Sequence, residues 1–563
     1  MTLAWALLAG GCRCGGEDPE ANADTEAVVA HEPSEPAPLQ AGPPKRSRER
    51  VVVVDAAELT ELDLGPVESL DLALSELDLH ERPLPRDSVD LGEAGGEETG
   101  GAGEDAGEDA GEPSRAAALA NPRCAGLDLH DLAARAPKLT ALRISGCQGA
   151  VHAGLSAFGE RLVELELVDL ELDAVTIARL SQLHGLETLT LTRVHAEPDA
   201  LKPLGRKISP QTVVLRELGK KSPVAELFGI LPDIREIRLI GPWADHDTMI
   251  QVGKAKRLER LAVLDTEIGN YSLHQIKPLD KLHRLEWSGP GFNDTSPVFM
   301  KELPIDELVC NCPRFGDRGL HHLYLFEGLR TLELERSAIS SAGLVELGPV
   351  QKLEALTLRY VDLDADAFTA LAQLPLLSRL VIGPGQLLDP KATGLGQLVG
   401  LRELIVDLDG FGDAAAPQLA TLVALEHLDL GNTTLSDEGL EHLAPLTRLR
   451  RLELHHTRVT KHGLAHLAGM SALEVLELDH TDVVDEGVAH LSALISLREL
   501  RLDHTLITDA ALVHVAKLAR LERLNLADTV ITREGLAALE GLEHLTAVNL
   551  AGTRAAGGRA PAE

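Results

Sequence analysis

Leu425-EHLDLGNTTLSDEGLEHLAPLT-Arg448 is followed without a gap by Leu449-RRLELHHTRVTKHGLAHLAGMS-Ala472 and Leu473-EVLELDHTDVVDEGVAHLSALI-Ser496. Two more stretches, from Leu497 and Leu521, keep the same frame, so the period is 24 residues. Self-similarity at a fixed period of this size is the signature of a repeat architecture. Upstream, the frame starts units at Leu401, Leu377, Leu353, Leu329 and Ile305, and a 23-residue step reaches Leu282. Further 24-residue steps find Leu258, Ile234, Pro210, Leu186 and Leu162, and a final 23-residue unit starts at Leu139. That makes 17 full units, with a short leading unit from Cys124 and a truncated one from Leu545.

Each unit reads as a strand followed by a helix. Positions 1, 4 and 6 (Leu425, Leu428 and Leu430) carry leucines, the last two spaced to point to one face of a strand. Position 9 holds Thr433, Thr457, Thr481, Thr505, Thr529 and Thr553. A buried hydroxyl there is expected to donate to a neighbouring turn's carbonyl. Position 12, as Ser436, Thr460, Thr508 and Thr532, supplies helix N-caps. Core leucines three apart, such as Leu440 and Leu443, follow on the helix. Strands repeating in this way lie parallel, about 4.8 Å apart. The fold class is therefore an α/β solenoid, with parallel strands expected on a concave face and short helices on a convex one.

The pattern LxxLxLxxT followed by [ST]DxGLxxLAxL resembles the leucine-rich-repeat family. Its 24-residue length is similar to the bacterial type related to GALA and cysteine-containing repeats, with only Cys147 keeping a cysteine at position 9. The resemblance covers residues 124–553 and implies a horseshoe-shaped scaffold for binding other proteins. It does not extend to an F-box-like helical segment, which some relatives use as ubiquitin-ligase adaptors.

The remaining chain is of another kind. MTLAWALLAGGC at Met1–Cys12 resembles a bacterial lipoprotein signal, in which small residues precede a cysteine that receives lipid. From residue 13 to 121 the composition is that of an acidic, Pro- and Gly-rich linker, expected to be disordered. Residues 1–121 hold 27 acids and 8 bases. A Val/Leu-rich island at 51–91 interrupts it, with VVVVD and three LDL triplets spaced as short strands. Residues 122–553 are expected to form the repeat domain, and 554–563 a disordered tail.

Composition bounds the partners. The chain of 563 residues carries a formal charge of −35 and only 2% aromatic residues. Nucleic acid and anionic lipid are repelled at long range. A membrane contact is expected only through a lipid on Cys12, placing the protein on a bacterial envelope. The alternative is a soluble secreted effector or adaptor, which requires Cys12 to remain unmodified. Walker, GxSxG, HExxH and CxxC patterns are absent, so no catalytic residue and no cofactor is assigned. Cys310 falls on an inward strand position and reads as a core thiol. Cys124 and Cys147 lie too far apart in the frame for a disulfide. Seven of the 14 aromatics fall between Tyr271 and Phe326, mostly on core columns, and SGPGFNDTSP at 288–297 is expected to bulge.

The candidate binding face comes from positions 5, 7 and 8. Asp429, Glu453, Glu477 and Arg501 occupy position 5, and His455, Asp479 and Asp503 position 7. His456, His480 and His504 follow at position 8. Residues 401–490 hold 16 acids against 6 bases, whereas 201–260 hold 12 bases against 7 acids. The acidic stretch is expected to bind a basic protein surface. A divalent metal held by Asp479, His480, Asp503 and His504 is the sharper alternative, but a solvated face is preferred and no metal ligand is assigned.

Overall fold

The computed structural model describes residues 127–364 and 366–556, together with the backbone of two short strands, Arg50–Val53 and Ser69–Leu72. From Ala141–Ser145 to Ala547–Asn549, each repeat contributes one strand to a single parallel sheet. Register follows the repeat frame. Leu428 lies beside Leu452 and Leu452 beside Leu476, each 24 residues on. The two short units show as 23-residue steps, Leu142 beside Leu165 and Leu285 beside Leu308. Ser69–Leu72 pairs with Ala141–Ile144, and Arg50–Val53 pairs in turn with Ser69–Leu72, which extends the sheet to 20 strands.

Packing explains the frame. Leu425, Leu428, Leu430, Leu435, Leu440, Leu443 and Leu446 are all fully buried, and the same columns repeat in the next units. Burying such a side chain contributes roughly 1.5–3 kcal/mol, so several per unit hold each turn onto its neighbours. The core runs unbroken from Leu129 to Ala555. The wall opposite the strands is built from very short helices. Asp437–Glu441 and Asp509–Val515 are α-helical, whereas Gly463–Leu467 and Gly535–Leu539 are single 3₁₀ segments. After strand and turn, a 24-residue unit has little chain left, and 3₁₀ geometry suits such pieces.

Four expectations need correction. The position-9 hydroxyls donate within their own turn, Thr457 to the Leu454 carbonyl (2.6 Å) and Thr505 to that of Leu502 (2.5 Å). No bulge interrupts the ladder at 288–297: Arg284–Ser288 enters it in unbroken register with Glu307–Asn311, and Asn293 bridges Arg314 beyond. The register shift lies instead between Ile382 and Gly385, where Gly383 has φ 111° and precedes a cis proline. A Cβ on Gly383 would stand 1.9 Å from the Asp407 carbonyl oxygen. Cys310 is buried as expected but bonded to Cys312, with their Cα atoms 5.3 Å apart. Cys310 ends the inward column of Glu307–Asn311 and Cys312 follows one residue past the strand, with both side chains buried on the core side. Cys147 is also disulfide-bonded, through a cysteine outside the described residues. The aromatic columns are core, with Trp287, Phe292, Phe315 and Phe326 all buried.

Candidate functional site

Between Asp429 and His504 the strand-side face is assembled by lateral register alone. Asp429, Glu453, Glu477, Arg501 and Asn525 stand in one row across five strands. Position 3 forms a parallel row: His427, Arg451, Val475, Glu499 and Arg523. The sequence reading passed over this second row, although the alternation that places positions 5 and 7 outward also places position 3 outward.

The two rows interlock. Arg451 donates to Glu453 and, at 2.6 Å, to Glu477, whose other oxygen takes Arg501 Nη1 at 3.1 Å. Arg501 Nε lies 3.5 Å from both Asp479 Oδ1 and Asp503 Oδ1. The expectation that these acids stand open to solvent is corrected here. The side chains of Glu477, Asp479 and Asp503 are only 7–8% exposed, covered by the arginines that they bind. His427 sits between Glu453 (Nε2–Oε1, 3.1 Å) and Glu403 (Nδ1–Oε1, 3.6 Å). Burial opposes a charge on His427, but hydrogen bonds and Coulomb attraction from the two glutamates outweigh it and raise its pKa to about 9. Burial likewise opposes the charge on Glu453, and bonds from His427 and Arg451 overcome it, lowering the pKa to about 2. Burial raises the pKa of Asp429, which accepts only the Gly431 amide at 2.8 Å. Five carboxylates, Asp429, Glu453, Glu477, Asp479 and Asp503, thus face two guanidiniums and the His427 imidazolium. The face keeps surplus negative charge.

Beside this network the position-8 histidines form a stack. The rings of His456 and His480 are 4.1 Å apart, and those of His480 and His504 4.0 Å apart at 13°. Their backbones are left-handed, with φ of 54°, 55° and 53°, as are those of Asn432 and Asp528 in the flanking units. A left-handed residue turns the chain off the strand and projects its side chain along the edge of the face. His480 Nδ1 faces Asp479 Oδ2 at 3.3 Å, and His504 Nδ1 faces Asp503 Oδ2 at 3.5 Å. His455 is half-buried, edge-on to His456, with its ring over Gly431, where a Cβ would meet it at 2.0 Å. All ten candidate residues, Asp429 to His504, therefore fall on one continuous surface. Cys12 lies outside the described residues.

The basic stretch is different. Arg235 pairs with Glu259, Arg238 with Glu286, Arg257 with Asp233, Arg260 with Glu236 and Lys202 with Asp199, so its arginines between 233 and 260 are met within the molecule, while lysines such as Lys220 and Lys221 make no ion pair among the described residues. Among the described residues no helix is long and apolar enough to cross a membrane.

Residues 424–444, the unit that carries Asp429, match the family model described as Leucine Rich repeat. The fold is a leucine-rich-repeat solenoid. No curated protein matches the sequence. Among solved structures, an internalin from Listeria monocytogenes is 17% identical, over 67% of this chain and 89% of its own, with a TM-score of 0.35. A leucine-rich-repeat protein from Leptospira interrogans is 18% identical over 67% of this chain and 87% of its own, with a TM-score of 0.39. A TLR13–ssRNA13 complex is 17% identical over 74% of this chain and 67% of its own, with a TM-score of 0.49. At these levels the likeness says nothing of what this solenoid binds.

Proposed function

We propose that this solenoid is a non-enzymatic scaffold whose strand-side face, from Asp429 to His504, binds a basic surface on a protein partner. The surplus of carboxylates over cations on that face carries the reading, because a complementary positive surface would neutralise charge that the molecule leaves unmet. Tethering to a bacterial envelope through lipid on Cys12 completes the proposal, with the acidic linker as spacer. Full-length protein is the bait for affinity capture from envelope extracts, and Asp429→Lys is the variant. Asp429 lies outside the arginine network, so the melting temperature is expected to stay within a few degrees while capture of basic proteins falls about tenfold. Unchanged capture would remove the acidic face from the proposal. Membrane partitioning of wild type, lost in Cys12→Ala, tests the tether separately.

A further inference from the structure

We propose that His456, Asp479 and His480 form a binding site for one divalent transition-metal ion of the zinc class. This goes beyond the protein-binding reading and does not depend on it. One ligand atom from each of the three residues lies within 4.8 Å of the others. His480, Asp503 and His504 make a second such group, which shares His480 with the first.

The partners already present distinguish the two groups. Asp503 Oδ1 accepts the Asn525 side-chain amide at 2.5 Å, and His504 Nε2 is drawn to Asp528 Oδ2 at 3.3 Å. Asp479 Oδ1 is buried and takes no hydrogen bond; its nearest cation, Arg501 Nε, stands back at 3.5 Å and also lacks a hydrogen bond. Asp479 is thus a buried carboxylate whose Oδ1 lacks a hydrogen bond and whose Oδ2 faces His480 Nδ1 at 3.3 Å, with a second imidazole, His456, in reach of the same point. The chemistry selects the ion. Two imidazole nitrogens and one carboxylate oxygen suit Zn²⁺, Ni²⁺ or Cu²⁺, whereas Ca²⁺ and Mg²⁺ demand oxygen shells. Zinc bonds of about 2.0–2.2 Å require the donor atoms to close up by roughly 1 Å. The solvent-facing histidine rings can make that movement, since both are exposed. The buried aspartate stays fixed in the strand row.

Position 8 is left-handed across the repeats, with Arg193, Glu217, Arg336 and Tyr360 there as well as Asn432 and Asp528, so the histidines share a backbone common to the array. Three protein ligands leave the fourth tetrahedral position open towards solvent.

The test is titration of metal-stripped, full-length protein with Zn²⁺ by calorimetry, with Co²⁺ absorption to report ligand geometry. Wild type is expected to bind one equivalent more than His480→Asn and one more than His456→Asn. Asparagine keeps the left-handed backbone, as Asn432 does, and unchanged circular dichroism and melting temperature of the zinc-free variants verify their folding. His504→Asn is expected to retain the full stoichiometry, and Ca²⁺ and Mg²⁺ to give no heat. Equal zinc stoichiometry in wild type and His480→Asn would overturn the site. Loss in His504→Asn with retention in His456→Asn would overturn the assignment to this triad. No protein partner is present in the titration, so its outcome is independent of the capture experiment.

Discussion

Two residues report most directly on how each turn is held. Thr505 donates to the Leu502 carbonyl at 2.5 Å from a buried position, while its neighbour Leu506 is 61% exposed. Thr505→Val keeps the shape but strips a buried carbonyl of its donor, and is expected to cost about 1–2 kcal/mol in chemical denaturation. Leu506→Ala is expected to stay within about 0.5 kcal/mol. Equal losses would mean that the inward and outward columns are misassigned. His427 gives the pH dependence. Facing it are Glu403 and Glu453, with Asp429 beside it and Arg379 and Arg451 on the flanking strands. Its folded pKa of about 9 lies above the ordinary value near 6.5, so its contribution is complete below about pH 6.5 and is lost as pH rises through 9. Discounted for its partial exposure, that contribution is on the order of 1–2 kcal/mol. Urea denaturation between pH 6 and 10 is expected to show this loss in wild type and not in His427→Asn.

At the scale of the element, neighbouring units are stapled by a ladder of aspartates. Asp437 at position 13 accepts the Thr460 amide (2.7 Å) and hydroxyl (2.5 Å) of the next unit. Asp485 does the same for Thr508, and Asp509 for Thr532. Of the expected caps, Ser436 and Thr508 cap α-helices, whereas the 3₁₀ segments after Thr460 and Thr532 begin at Gly463 and Gly535 without a side-chain cap; the aspartate that holds each hydroxyl was not legible because it lies 23 residues back in the chain. Between Asp437 and Thr532 one rung is missing. Lys461 stands where the aspartate should be, and the facing position 12 is Val484, which makes no side-chain cap. Lys461→Asp combined with Val484→Thr is expected to restore the rung and stabilise the protein by roughly 1 kcal/mol, while Val484→Thr alone gains less. Thermal melts of the single and double variants measure the coupling.

Across the whole solenoid, every strand pairs only with the units before and after it, and stability is close to a sum of neighbour terms. Leu452→Ala removes a fully buried side chain and is expected to cost about 2–5 kcal/mol. Hydrogen exchange is expected to rise mainly in the flanking units, about residues 425–496, with protection retained around Leu261. Uniform loss of protection would show that the array melts as one cooperative body.

The sequence by itself determined the repeat frame, both unit lengths and the core columns, because a leucine ladder has one physical use and its spacing is explicit. It also brought Asp429 to His504 onto one surface, since parallel register turns a 24-residue spacing into lateral contact. Tertiary structure alone decided how those side chains share the surface. The burial of Glu477, Asp479 and Asp503, the position of His427 between two glutamates and the open oxygen of Asp479 all depend on groups one or two units away. The left-handed turn at position 8 is equally invisible in a residue type as ordinary as histidine. Periodicity specifies which residues meet; the distances, partners and protonation of those that meet are set by the packed strands.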